Sequence, residues 1–74
     1  MSELVLHGDH ITLAQAVKAA GFVASGGQAK HLVRERQVTV NGVVEVRPGK
    51  KLVAGDRFCV QGDSEKKTIT ITAG

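Results

Sequence analysis

The chain has 74 residues, ten of them Lys or Arg against seven Asp or Glu, with a formal net charge of +3 and two Phe as its only aromatics. That length allows one domain, residues 1–74, with a thin core drawn from Val, Leu, Ile and Ala. The charge permits a polyanionic partner without requiring one, and the scarcity of aromatics argues against a sheet that stacks unpaired bases.

In chain order, the apolar run "ELVLH" (3–7) predicts an edge strand, broken by "GDH". "ITLAQAVKAAG" (11–21) predicts a short helix. Thr12 is its N-cap, Gln15 closes a capping box, Leu13, Ala16, Val17 and Ala20 form the inner stripe, and Gly21 supplies a left-handed stop. "SGGQAKHLVRER" (25–36) repeats the device, with Ser25 as N-cap, Gln28 closing a second box and Ala29, Leu32 and Val33 facing inward. Both helices are too short to persist alone, so they must pack on each other and on a sheet.

Beyond residue 37 the pattern turns to strands. "VTV" (38–40) leads into Asn41-Gly42, a strong signal for a two-residue hairpin, and "VVEV" (43–46) returns. A strict hairpin sets Val40, Val43 and Glu45 on one face and Val44 and Val46 on the other. Either a bulge or cover on both sides is therefore expected. "RPGKK" (47–51) is a basic turn, "LVAGDRFCV" (52–60) holds an Ala-Gly-Asp turn and a further strand, "QGDSEKK" (61–67) is a polar turn, and "TITIT" (68–72) is a last alternating strand. The fold class is α+β, two short packed helices against a small bent antiparallel or mixed sheet. Leu13, Val17, Leu32, Val33, Val38 and Val40 are the expected core, and Cys59 is expected to join it.

The pair Gly26-Gly27 stands where a helix begins, although glycine costs a helix interior about 1 kcal/mol relative to alanine. The first N–H groups of a helix have no intrahelical acceptor, and the dipole adds positive charge there. Without side chains, a phosphate can approach them closely. At about 100° per residue, Gly27, Lys30 and Arg34 share one flank. The competing explanation is that the glycines merely permit close packing. A second basic cluster, Arg47, Lys50 and Lys51, surrounds Pro48-Gly49. Lys66 and Lys67 lie beside Asp63 and Glu65 and carry little functional weight.

Other chemistries find little support. His7, His10 and His31 are scattered and lack metal-ligand spacing, no Ser/His/Asp or paired-carboxylate arrangement is visible, and neither metal, cofactor nor catalytic residue is expected. With a single cysteine there is no internal disulfide, which suits a reducing compartment. No apolar run reaches the roughly 20 residues of a membrane span, and "MSELVLHGDH" lacks the basic start and apolar run of a signal peptide. A cytoplasmic protein without membrane contact is expected.

The stretch "ITLAQAVKAAGFVASGGQAKHLVRERQVTVNGVVEVRPGKKLVAGDRF" resembles the RNA-binding domain named after ribosomal protein S-four, and most of all its small stand-alone bacterial members. The resemblance covers about residues 11–60. It rests on the Leu13 helix ending at Gly21, Ser25 with Ala29 and Lys30, Val38-Thr39-Val40-Asn41-Gly42, and Gly55-Asp56 in that order. It implies non-catalytic binding of structured RNA, ribosomal or transfer RNA or the ribosome itself, by a monomer acting in translation. Ser25, Gly26, Gly27, Lys30, Arg34, Arg47, Lys50 and Lys51 would form the RNA surface, with Lys18, Arg36 and Arg57 at its rim. Gly26 stands where the wider family usually has Arg, and Arg36 where it usually has Gly. A left-handed Arg36 would be strained by about 1–2 kcal/mol. Otherwise the helix ends differently and Arg36 joins the basic surface. Two alternatives remain at this point. One is a basic protein-interaction module without nucleic acid. The other is a ubiquitin-like sulphur carrier, which "VTVNGVVEVRPGKKLVAGDRFCV" also resembles although the Gly-Gly tail is missing.

Overall fold

A computed structural model describes residues 2–61 and 67–73. Residues 62–66 of the expected polar turn, Lys66 among them, lie outside that range. The elements run β1 (Ser2–Leu6), β2 (Ile11–Thr12), α1 (Leu13–Ala19), α2 (Gly26–Arg34), β3 (Val38–Val40), β4 (Val43–Val44), β5 (Lys51–Leu52), β6 (Arg57–Val60) and β7 (Lys67–Ala73). A five-stranded mixed sheet has the order β1-β7-β6-β3-β4, and β2 pairs with β5 in a separate two-stranded ladder. Only β1 and β7 run parallel. The two helices cover one face of the large sheet, which gives the expected α+β architecture.

The alternation along each strand decides what the helices bury. Val40, Phe58 and Ile69 are register partners across β3, β6 and β7 and line up beneath the helices. They meet Leu13, Ala16 and Val17 of α1 and Ala29 and Val33 of α2 in one core that also takes in Val38, Leu52, Val60 and Ile71. No polar side chain is buried among the described residues. Removing a buried leucine such as Leu13 from so small a core costs about 2–5 kcal/mol.

Two core expectations are corrected. Leu32 is only half-buried, because it lies at the margin where α2 leaves the sheet open. Cys59 is also half-buried, since the alternation Arg57, Phe58, Cys59, Val60 turns it to the uncovered sheet face with Thr39 and Thr68.

Helix boundaries follow their caps. The Thr12 N–H donates to Gln15 Oε1 at 3.0 Å and the Gln15 N–H to Thr12 Oγ1 at 3.2 Å, a complete capping box. Residues 11–12 are strand rather than helix, because they pair with Leu52 and Lys51. The second box differs from expectation. Ser25 Oγ accepts from the Gln28 N–H at 3.2 Å, but Gln28 Oε1 reaches one residue further back, to the Ala24 N–H at 2.9 Å. Both helices close in the same way. Gly21 (φ 86°) and Phe22 donate to the Lys18 and Val17 carbonyls, and Arg36 (φ 62°) and Gln37 donate to those of Val33 and Leu32. Arg36 thus holds the left-handed position that glycine would occupy without strain.

The hairpin turns through Asn41 (φ 52°) and Gly42 (φ 86°), both left-handed, with Val40 opposite Val43 and Thr39 opposite Val44. Neither a bulge nor a second layer resolves its conflicting pattern. The strand stops after two residues, and Val43, Val44 and Val46 are left 70%, 48% and 45% exposed.

Candidate nucleic-acid interface

The two helices begin beside each other but differ in the state of their first N–H groups. At α1 all three are taken. Leu13 donates to the Lys50 carbonyl at 2.8 Å, Ala14 to the Pro48 carbonyl at 3.0 Å, and Gln15 to Thr12 Oγ1. At α2 only the third is taken, by Ser25. The N–H groups of Gly26 and Gly27 find no acceptor among the described residues.

The bonds at α1 also explain how the basic turn is placed. Its carbonyls cap the helix, Lys50 N–H closes it onto the Arg47 carbonyl at 3.1 Å, and Lys51 pairs with Thr12 in the small ladder. The turn is therefore fastened to the start of α1, and α1 packs on α2. Between them lies a groove lined by Thr12, Gln15 and Lys18 from the α1 side, Gly26 and Lys30 from α2, and Pro48 and Gly49 from the turn. Of the cations named from the sequence, Lys18 and Lys30 line this groove, and the basic turn reaches it through Pro48 and Gly49.

The glycines answer to no packing need among the described residues. A Cβ built on Gly26 would meet nothing within 4 Å, and one on Gly27 only Ser25 Oγ at 4.0 Å. Neither has a positive φ. They open onto different surfaces. Gly26 faces the basic groove, while Gly27 lines a second groove with Phe22, Val23, Gln28, His31 and Leu32.

The remaining cations are distributed unevenly. Arg34 lies exposed one turn beyond Lys30, and Arg36 follows at the far end of α2. Lys50 is half-buried and Lys51 exposed. Arg47 is held by Glu45, with Nε to Oε2 at 3.1 Å and Nη2 to Oε1 at 3.3 Å. The Glu45 carboxylate also accepts the Val46 and Arg47 N–H groups, each at 3.1 Å. The Arg47 side-chain bond is the largest effect and outweighs the opposing effect of burial; with the Arg47 N–H, the cation's charge and the Val46 N–H it holds the Glu45 carboxyl below its ordinary range. The same pairing raises Arg47. Arg57 stands apart on the uncovered sheet face, in a concavity with Thr39, Asn41, Cys59 and Thr68. Sequence reasoning took Thr12 and Gln15 only as caps and passed over Glu45, for which an acid two residues before an arginine is a weak signal. Among the described residues no cluster of three or more His, Cys, Asp or Glu could hold a metal ion, and no helix is long and apolar enough to cross a membrane.

Comparison with known proteins defines the class. A family model described as S4 domain matches residues 4–71. The chain belongs to the S4 domain family, the RNA-binding domains that its sequence resembles. Among curated relatives it is 42% identical over 55 residues to the putative RNA-binding protein YbcJ of Escherichia coli (strain K12), covering 74% of this chain and 79% of that protein. It is also 42% identical over 52 residues to the probable ribosome maturation protein RlbA of Bacillus subtilis (strain 168), covering 70% and 73%. Among solved structures, trimeric heat shock protein 15 of Vibrio cholerae superposes with a TM-score of 0.75 at 25% identity, over 86% of this chain and 64% of that one. The family match sets aside the sulphur-carrier alternative.

Proposed function

We propose that this chain is a non-catalytic RNA-binding domain that grips folded ribosomal or transfer RNA by its phosphates, in the service of the ribosome. The observation that carries the reading is the pair of unclaimed N–H groups at Gly26 and Gly27, beside a groove that presents Lys18 and Lys30. Such an opening admits a phosphate to the helix start while the lysines neutralise its neighbours. Lys50, Lys51 and Arg34 extend the basic surface, and Arg47 contributes from a side chain already oriented by Glu45. Ser25 acts by holding the first turn of α2. Arg36 lies at the rim. Arg57, on the other sheet face, would touch only an RNA that wraps the domain.

The names of the relatives, an RNA-binding protein and a ribosome maturation protein, support the same reading. We take residues 1–74 to act as one cytoplasmic domain and as a monomer, although one structural neighbour is trimeric. The test is binding to a folded RNA helix junction and to duplex DNA of equal length across a salt series. RNA preference with a steep log–log salt slope is expected. Absence of RNA binding at low salt would remove the autonomous reading.

A further inference from the structure

We propose that the groove on the Gly27 side of α2 seats an unpaired nucleobase of the same RNA whose phosphates occupy the Gly26 side. The inference rests on the RNA reading above and adds to it a subsite of different chemistry.

The start of α2 is a ridge between two grooves. One is basic; the other is walled by Phe22, Val23 and Leu32, with Gly27 at its upper edge and Gln28 and His31 along α2. Its apolar residues are half-buried and packed on the core, so the walls are fixed in place. Phe22, the one aromatic here, stands edge-on to the buried Phe58 ring, with centroids 6.3 Å apart at 69°.

The polar groups of this groove are oriented by internal bonds yet retain capacity. Gln28 Oε1 accepts from the Ala24 N–H at 2.9 Å, which fixes the amide and leaves its NH₂ donors without a partner among the described residues. His31 Nε2 lies 2.7 Å from Glu35 Oε1, and Nδ1 has no partner among the described residues. Apolar walls beside a few oriented polar groups suit a flat heteroaromatic ring with a polar edge. Proteins that read sequence in RNA do so mostly at bases splayed out of loops and bulges.

Continuity decides for RNA over a peptide. Gly26 and Gly27 are adjacent, and the fold requires neither to be glycine. Glycine at both positions keeps the ridge low on its two sides, so a nucleotide whose phosphate meets the basic groove can lay its base across into the other.

The test uses the full chain with two probes: an RNA stem–loop, and a duplex RNA of the same stem sequence without the loop. His31→Ala removes an exposed polar side chain from the second groove without altering the start of α2, and its amide spectrum checks the fold. The variant is expected to lose roughly tenfold in affinity for the stem–loop, the scale of one base contact, and to bind the duplex as the parent does. In the parent, the Val23 and Leu32 methyl resonances should respond to the stem–loop and not to the duplex. Equal loss on both probes, or loss on neither, overturns the base subsite. So do methyl shifts produced by protein concentration alone, which would assign the groove to a second copy of the chain. If the parent binds neither probe at low salt, the RNA reading itself fails and the subsite with it.

Discussion

The side-chain amide of Asn41 donates to the Asp56 carboxylate at 3.2 Å, across a separation of fifteen residues in the chain. This bond ties the β3–β4 hairpin turn to the turn before β6. Asn41 Oδ1 also accepts the Arg57 N–H at 3.0 Å, and Asp56 Oδ2 accepts the Val53 N–H at 2.9 Å. The Asp56 carboxylate thus serves both turns, while both side-chain bonds of Asn41 reach the second. Asn41 in addition tolerates its left-handed backbone, which alanine would not. Asn41→Ala is expected to cost about 1–3 kcal/mol in urea denaturation. In a double-mutant cycle with Asp56→Ala the losses should be less than additive, and strict additivity would show that the two turns are independent.

Gly26→Ala separates folding from binding. The added methyl meets nothing within 4 Å and improves helix propensity, so stability should hold or rise by up to about 1 kcal/mol. Affinity for folded RNA should fall, because the methyl obstructs access to the N–H groups. Undiminished affinity would take Gly26 out of the phosphate site.

Salt dependence can rank the cations. Lys30→Ala and Lys18→Ala should each lower the log–log salt slope by about 1 and weaken binding across RNA sequences. The pair Lys30→Ala/Arg34→Ala should lower it further, whereas Arg57→Ala should leave it unchanged. An Arg57 variant as damaging as Lys30→Ala would require the RNA to reach the uncovered sheet face.

The Glu45–Arg47 pair predicts an acid transition in the basic turn. The Glu45 carboxyl is held low in the folded chain, so it contributes stability at pH above its ordinary carboxylate value. That contribution is lost as the pH falls below the ordinary value towards the depressed folded one. Amide exchange at Val46 and Arg47 should quicken in this window before the core opens, and Glu45→Gln should abolish the pH dependence. Arg47→Lys should weaken the pair, since lysine cannot form the two-pronged contact.

Arg36→Gly should stabilise the fold by about 1 kcal/mol by relieving the left-handed backbone at the end of α2. A matching loss of RNA affinity would show that Arg36 is kept for its charge.

The sequence made the caps legible because capping is local: Thr12, Ser25 and Gly21 act within a few residues of themselves. The hairpin was legible for the same reason, as Asn41-Gly42 can hardly turn otherwise. The parallel pairing of β1 with β7 was not, since nothing in residues 2–6 states which strand they will meet. Cys59 was misjudged because an apolar strand does not reveal which of its faces the helices will cover. At the candidate site the cations could be named, but their grouping could not. Lys18 joins Lys30 because α1 packs on α2, and the basic turn is brought beside them because its Pro48 and Lys50 carbonyls fasten it to the start of α1.

The place of β7 between β1 and β6 bears on how the protein is made. Ile69 and Ile71 complete a core whose other members lie from nine to nearly sixty residues upstream, and β1 has no sheet neighbour until β7 is present. On the translating ribosome the helices emerge early, but the sheet they pack on stays open until β7 clears the exit tunnel. A nascent chain halted before β7 should therefore be protease-sensitive, with its first strand unpaired.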